Sequence, residues 1–285
     1  MSTFDRTYYD TWYDAGLVLK ASAHHAVLYQ SVLSRVPPDA RAILDAGCGD
    51  GAVLDRLPRR DLTVGIDFSL AGLRRVHAPV ACASIDAMCF ADHAFDLVIA
   101  TEVLEHLPQH TLARAVREIA RVARRHIIIS VPNREPLRHA RRTCPACGSS
   151  LHAHGHVQCF DPDRLATLIP GFHMHEVAEV GPPRVVFPDW IVGLKRVLTG
   201  ELAWPPGRTC PICGYVADAR TTPDVPRRLP AWRRAVSTVA TKRPTWLVAT
   251  YTNAAHTAST SPHPGASPVP RTPSPPPPAP PPRSA

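Results

Sequence analysis

An α/β fold built on a doubly wound, mostly parallel sheet is what this sequence predicts. Three observations carry that prediction. Short apolar runs recur between residues 41 and 133 without the apolar–polar alternation of a strand wetted on one face. Amphipathic helical stretches separate those runs. The first run ends in Gly47, Gly49 and Gly51, as a buried strand does where it turns sharply into the next element.

The elements follow in order. Residues 15–36 read as a helix closed by Pro37-Pro38. "RAILDAGCG" (41–49) reads as the first strand and its turn, and "DGAVLDRL" as a continuing helix. "LTVGIDFS" (62–69) is the second strand and "LAGLRRVHA" the helix after it; "VACASID" (80–86) is the third strand. "AFDLVIATEV" (94–103) is the fourth, followed by the helical "QHTLARAVREIARVARR", and "HIIISVPN" (126–133) is the fifth. Beyond Asn133 the rhythm breaks. "FDPDRLATLIPG" (160–171) resembles a capped helix, "FHMHEVAEVG" (172–181) a strand, "DWIVGLKRVL" (189–198) a helix and "RPTWLVATYTN" (243–253) a late strand. In such sheets ligands sit beyond the carboxyl ends of the strands, near the switch in strand order. Chemistry is therefore expected in the loops after the first four strands.

Twelve of the 32 prolines lie from Ser261 onward, with almost nothing apolar to bury, so this segment reads as a disordered tail. Lys and Arg exceed Asp and Glu by 32 − 24 = 8. The excess is mostly Arg dispersed over helices, as in "RAVREIARVARR", and no basic motif interleaved with aromatics marks an RNA-binding surface. The N-terminus shows no basic segment followed by an apolar one, and no run approaches the ~18 apolar residues of a membrane helix. A cytoplasmic protein with no membrane span is expected, its eight cysteines thiols or metal ligands rather than disulfides.

"LDAGCGDG" departs from both phosphate-binding fingerprints: Ala52 stands outside a G-x-G-x-x-G pattern, and no Lys-Ser/Thr follows. Glycines there let the backbone N–H groups approach a ligand closely, and Asp45 before them suits a cationic ligand over a pyrophosphate. Asp67, at the end of the second strand, suits a ribose diol, and Phe68 the face of a base. The ordered series "ILDAGCGDG", "VGIDFS", "ASIDAMCFADHAFDLVIATEVLEHL" and "IIISVPN" resembles the class I S-adenosylmethionine-dependent methyltransferases, closely over residues 40–135 and loosely over 15–253. The resemblance implies a three-layer Rossmann-like fold with a seven-stranded sheet whose last strand is antiparallel. It also implies that Asp45, Gly47 and Gly49 surround the methionine part of S-adenosylmethionine, that Asp67 holds the ribose and Phe68 flanks the adenine, and that Asp86 with Ala87 sits at the adenine amino group. Glu102 would face cofactor and acceptor. Cys48 reads as a small packed residue.

No Asn/Asp-Pro-Pro-Tyr/Phe follows the fourth strand, which disfavours methylation of a DNA-base amine. Glu102, Glu105 and His106 stand at i, i+3 and i+4, one face if a helix starts there. Two carboxylates and an imidazole can hold Mg²⁺ or another divalent ion that orients and acidifies a hydroxyl. His106 can equally act as a base or pack. Similar segments occur in ubiquinone-type O-methyltransferases and in small-RNA 2′-O-methyltransferases. In the latter a downstream His completes a metal site, and His156 in "GHVQCF" stands where that would need it, although their wider signature is missing. The aromatic "YYDTWYD" near the N-terminus reads either as a lid on the donor pocket or as a segment docked on the outer sheet face.

Cys144-Pro-Ala-Cys147 and Cys210-Pro-Ile-Cys213 form two C-x₂-C knuckles, each followed by Gly. Together they make a tetrahedral S₄ zinc site, although their separation exceeds that of a compact zinc ribbon. His152, His154 and Cys159 could substitute as ligands, but solvent-facing or packing roles are the expectation for them. Such a site has no open position, so its expected role is to clamp the acceptor side. The expected organisation is an N-terminal helical cap over 1–40, a methyltransferase domain over 41–253 with zinc-knuckle segments at 143–159 and 208–216, and the Pro-rich tail over 254–285. The leading function is O-methylation of a small molecule such as a secondary metabolite, lipid or sugar. The alternatives are RNA 2′-O-methylation and a non-catalytic, zinc-supported binding module.

Overall fold

The structure is a computed structural model that describes residues 6–14, 16, 19–58, 60–193, 204, 209–217 and 240–255. Its strands are β1 (Ala42–Ala46), β2 (Leu62–Asp67), β3 (Val80–Cys82), β4 (Phe95–Thr101), β5 (Ala123–Pro132), β6 (Arg141–Thr143), β7 (Ser150–His152), β8 (Phe172–Val186) and β9 (Thr241–Asn253). Seven form one sheet in the order β3-β2-β1-β4-β5-β9-β8, and β6 with β7 forms a separate hairpin. The first five strands pair in parallel, and β9 runs antiparallel to β5 and β8. This is the seven-stranded, Rossmann-like methyltransferase sheet that the sequence led us to expect.

Its strands are buried on both faces, which is why they read as continuous apolar runs. Side chains alternate between two cores with the two-residue period of a strand. Ile43, Leu97, Ile99, Ile128 and Val248 pack with Leu28, Tyr29 and Val32 of α2 (Ala26–Leu33) on one face. Leu44, Val98, Ala100, Ile127 and Ile129 pack with Leu112, Ala115 and Ile119 of α4 (Gln109–Val122) on the other. The strand order reverses between β1 and β4, so their carboxyl ends open a crevice there.

Several helices are shorter than their apolar pattern suggests. Among the described residues of 15–36, only Ala26–Leu33 is α-helical. Tertiary contacts hold the preceding turns: the Lys20 N–H donates to Asp50 Oδ2 at 3.1 Å, and Ser22 Oγ lies 2.7 Å from His25 Nδ1. "DGAVLDRL" is turns and one 3₁₀ segment, Leu54–Arg56, because Gly51 is left-handed (φ 81°) and Asp55 accepts the N–H groups of His77 and Ala78. α3 (Leu70–Leu73) is one turn, capped by Ser69 Oγ at the Gly72 N–H. In "FDPDRLATLIPG" the helix is α5 (Pro162–Ala166), with Asp161 capping Arg164 N–H at 2.8 Å and Pro162 in its first turn. Of 189–198, residues 189–193 are helical and the rest lies outside the described residues, as does the Pro-rich tail from 256. α1 (Arg6–Asp14), in the aromatic N-terminal stretch, docks on α3 through Asp10, whose Oδ1 accepts from Ser69 Oγ at 2.6 Å and from the Ala71 N–H at 2.9 Å. Among the described residues no helix is long and apolar enough to cross a membrane.

Candidate functional site

One cavity of about 860 Å³ opens at the carboxyl ends of β1, β2 and β4. Asp45, Gly47, Gly49, Asp67 and Phe68 line one end, and Glu102, Glu105, His106 and His156 line the other. Tyr9, Trp12 and Tyr13 of α1 line it too, so the aromatic segment covers this cavity instead of the outer sheet face. The Tyr9 ring stands edge-on to both Phe68 (5.2 Å) and His106 (5.7 Å), bridging the two ends.

At the first end Gly47 and Gly49 adopt φ of 85° and 55°. The Gly47 and Cys48 N–H groups donate to the Ile66 carbonyl at 2.7 and 2.9 Å, and the Gly49 N–H donates to Asp67 Oδ2 at 2.9 Å. The glycines therefore serve the cavity by lacking a Cβ, not by offering N–H groups as the sequence suggested. A Cβ on Gly47 would lie 2.4 Å from Val103 Cγ2, and one on Gly49 2.5 Å from the Tyr13 hydroxyl. Gly47→Ala should lower stability by about 1–3 kcal/mol through left-handed strain, with the clash adding to it; denaturant unfolding measures this, and an unchanged midpoint would refute it. Asp45 is buried, and its carboxyl is pushed up to about 7 by burial and by the nearby Asp67 charge. Asp67 is raised by burial too, although the Ser69 and Gly49 N–H groups bond it. Neither acid has an ion-pair partner among the described residues, and both face the cavity. Cys48 is buried and its thiol is pushed up by burial and the Asp45 charge, the state of a packed side chain.

Asp86 and Ala87 are not brought to this wall; Ser84 and Ile85 stand there. The Asp86 carboxylate accepts from Arg114 Nε at 2.9 Å and from Ser84 Oγ, and these bonds outweigh its burial and hold it below the usual carboxylate range. Arg114 lies on α4, and nothing in the local sequence pattern marks that pairing.

At the second end β4 stops at Glu102, a non-glycine residue at φ 54°. That left-handed kink, followed by a 3₁₀ turn at Leu104–His106, keeps Glu102, Glu105 and His106 off a common helix face. Glu102 turns to β9 and β5, accepting from Trp246 Nε1 at 2.8 Å and from Ser130 Oγ at 3.3 Å; burial pushes its carboxyl up to about 8 despite the Trp246 bond. Glu105 is 1% exposed, and neither of its oxygens has a hydrogen-bond partner among the described residues. Burial, then the Glu102 charge, raises it well above the usual range. His106 is held well below the imidazole range by burial and His156, and its Nδ1 is likewise unpartnered among the described residues. Glu105, His106 and His156 offer three ligand atoms within 4.8 Å of one another, which brings the downstream His to the acid–imidazole pair.

The segment carrying His156 is fixed at two places. The Val157 and Gln158 N–H groups donate to the Glu105 carbonyl at 2.8 and 3.0 Å, and His156 Nδ1 bonds Glu135 Oε2. Glu135 joins the site from the loop after β5 and His152 from the end of β7, with no helical spacing to mark either. The alternation of His152, His154 and His156 is the signal in the sequence, although the chain turns there, with Gly155 at φ 76°.

The cysteine quartet lies elsewhere. Cys144, Cys147, Cys210 and Cys213 bring four sulfurs within 4.8 Å of one another. The two knuckles share one geometry: Gly148 N–H donates to the Cys144 carbonyl and Gly214 N–H to the Cys210 carbonyl, both at 2.9 Å, with φ of 71° and 74° at the two glycines. Two sulfur pairs run across the knuckles, Cys144–Cys213 at 3.7 Å and Cys147–Cys210 at 3.8 Å. A tetrahedron with zinc–sulfur bonds of about 2.3 Å has edges of about 3.8 Å, so these four residues fit the ion. His152 and His154 face the other way: His152 contacts Glu135, and His154 lines the cavity.

A seven-stranded sheet in this order, with a glycine turn after its first strand and an acid closing its second, is the fold expected of the class I S-adenosylmethionine-dependent methyltransferases. Residues 44–129 match the family described as a methyltransferase domain. That stretch of the chain therefore carries a methyltransferase domain. A ubiquinone biosynthesis O-methyltransferase of Alkalilimnicola ehrlichii is 40% identical over 111 residues, 34% of this chain and 44% of that protein, so the match spans less than half of the relative. Among solved structures, the complex of the Haloferax volcanii Trm112 methyltransferase activator with a protein assigned as a methyltransferase aligns at TM-score 0.50 and 14% identity, covering 86% of this chain and 97% of that one. The 4+2 cyclase SpnF aligns at 0.52 and 14%, covering 89% and 96%. Both are likenesses of fold, and the second carries a different chemistry, so the site has to argue the reaction.

Proposed function

We propose that this chain transfers the methyl group of S-adenosylmethionine to a hydroxyl of a small-molecule acceptor. The observation that carries this reading is the single cavity that joins the glycine turn, Asp45 and Asp67 to the Glu105–His106–His156 cluster. Its volume falls within the ~300–1,000 Å³ of ligand pockets. The donor fits the first end: Asp45 matches its ammonium and Asp67 its ribose diol, while the missing Cβ atoms let Val103 and Tyr13 pack against the turn that forms the wall. The donor supplies an activated methyl group. The chain's residues then align the acceptor oxygen in line with it, exclude water and take the hydroxyl proton. The carbon–oxygen bond forms as the carbon–sulfur bond breaks, and sulfur keeps the electron pair. Labelled donor supplied to fractionated cell extract, with and without chelator, tests the reading. Label in a small-molecule fraction supports it. Calorimetry showing no S-adenosylmethionine binding would overturn it and favour a non-catalytic, zinc-supported module.

Asp45 gives a second test. With its carboxyl near 7, it is about half protonated at pH 7. A bound ammonium holds the ionised form, so donor binding at pH 7 should release about half a proton. Calorimetry in buffers of different ionisation enthalpy reads this directly, and Asp45→Asn should abolish the release.

A divalent ion at Glu105, His106 and His156 accounts for the Glu105 oxygens and His106 Nδ1, buried and without a hydrogen-bond partner among the described residues. With two imidazoles and one carboxylate, the set suits a transition ion such as Mn²⁺ better than Mg²⁺. The same grouping favours RNA 2′-O-methylation as the second reading. Uptake of label into RNA, with affinity falling steeply as salt rises, would select it. We assign the cysteine quartet to one structural Zn²⁺.

A further inference from the structure

Two candidate ion-binding triads overlap in the cavity wall, Glu105–His106–His156 and Glu135–His152–His156. They share His156, and one imidazole in its ordinary neutral form offers one lone pair. We infer that Glu135 is a positioning residue: by accepting the Nδ1–H of His156 it fixes the tautomer that presents Nε2 as a ligand, and so commits His156 to Glu105 and His106. This rests on the divalent-ion reading above.

The His152 ring decides against the second triad. Its Nδ1 accepts the N–H groups of His154 and His156 at 3.2 and 3.1 Å. A nitrogen that accepts two hydrogen bonds carries the lone pair, so the proton of the neutral ring sits on Nε2. Nε2 lies 3.8 Å from Glu135 Oε1. An N–H there has no lone pair for a metal. The Arg184 guanidinium stands 3.5 Å from the same Glu135 oxygen, so a cation placed there would meet a positive charge. Glu135 thus receives His156 on one oxygen and faces Arg184 and His152 with the other.

His152 Nε2 is also buried without a hydrogen-bond partner among the described residues, but as an N–H it offers an ion nothing; the first triad presents acceptor atoms. Glu105 has no hydrogen-bond partner for either oxygen among the described residues, and His106 has none for Nδ1. The His106 and His156 rings meet edge-on at 4.7 Å, while His152 stacks on the far face of His156 at 4.7 Å and 19°, limiting its rotation. Carboxylate, imidazole and ion in series is the arrangement by which an outer carboxylate raises the basicity of a metal-binding histidine.

The test uses the full, zinc-loaded chain with Mn²⁺ as the probe, because a thiolate quartet selects softer ions. Mn²⁺ affinity is read by calorimetry and by electron paramagnetic resonance. Glu135→Ala should weaken Mn²⁺ about 10–100-fold, leaving S-adenosylmethionine affinity and melting temperature near wild type. Glu135→Gln, which keeps an acceptor oxygen, should recover part of the loss and serves if the Ala variant fails to fold. His152→Asn, whose side-chain oxygen can take the two N–H groups, should still bind one Mn²⁺. Unchanged Mn²⁺ affinity in both Glu135 variants overturns the inference while the ion reading stands. Loss of Mn²⁺ in His152→Asn with retention in Glu105→Gln assigns the ion to the other triad and also overturns it. A wild-type chain that takes no Mn²⁺ overturns the ion reading and this inference together.

Discussion

Replacing Asp67 by Ala should weaken S-adenosylmethionine binding by at least about 100-fold. Two hydrogen bonds from a ribose diol to a carboxylate are worth about 1.5–3 kcal/mol each. Even the lower figure gives roughly 3 kcal/mol, a little over two decades in affinity. The cost has a second source in the protein. Asp67 accepts the Gly49 N–H at 2.9 Å and the Ser69 N–H at 2.8 Å, so it ties the turn after β1 to the turn after β2. Its removal leaves both N–H groups without that acceptor and loosens the wall on which the donor rests. Asp67→Asn separates the two effects, because one amide oxygen can keep one of these bonds while the charge is lost. The Asn variant should retain more stability than Ala and still bind the donor poorly. Calorimetry with the donor and its demethylated product, beside thermal unfolding, checks both. Wild-type donor affinity in a folded Ala variant would remove Asp67 from the site.

The cavity end expected to hold the donor gathers residues that local sequence places together. Asp45, Gly47 and Gly49 follow one strand, Asp67 ends its neighbour, and the parallel β1–β2 register brings Ala46 beside Ile66. Strands buried on both faces also announce themselves, since each position is apolar whichever core it enters. The acceptor end resisted for the opposite reason. Glu102, Glu105 and His106 suggested a helix face, but the left-handed φ at Glu102 sends its carboxylate to Trp246, a partner 144 residues away. Asp86 reads as a cofactor contact until Arg114 arrives from α4 to neutralise it. Glu135 meets His156 only because the β6–β7 hairpin folds the chain back between them. Helix lengths failed where polar side chains took partners of their own, as Ser22 does with the His25 ring and Asp55 with the His77 N–H. Such contacts depend on chain segments that no periodicity links.

Replacing Cys144 or Cys210 by Ser should remove one equivalent of zinc and cost the chain several kcal/mol. Structural zinc contributes folding free energy outright, with apparent binding values of about 10–16 kcal/mol in small zinc-dependent peptides. Among the described residues little else holds the two knuckles together. The apolar cluster around them comprises Cys144, Trp204, Cys210 and Ala217, with Leu151 and Tyr215 packed against it, too few residues to close a core unaided. Cys144 and Cys210 are its two buried sulfurs, and burial pushes the Cys210 thiol up to about 12. A thiol at that value stays protonated at neutral pH unless an ion takes the proton's place, so zinc binding should release protons. The hairpin that carries Cys144 and Cys147 at its turn returns through β7 to His152, and from there to His156 at the cavity. Loss of zinc should therefore reach the acceptor end first, lowering Mn²⁺ affinity there. The donor end, carried by β1 and β2 on the opposite half of the sheet, should keep its S-adenosylmethionine affinity. Metal analysis, thermal unfolding and calorimetry with both ligands read the three effects separately. A purified wild-type chain with far less than one equivalent of zinc, or a Cys144→Ser variant that melts with wild type, would refute the assignment. Equal losses at both ends would show that the ion stabilises the whole fold and not the acceptor side alone.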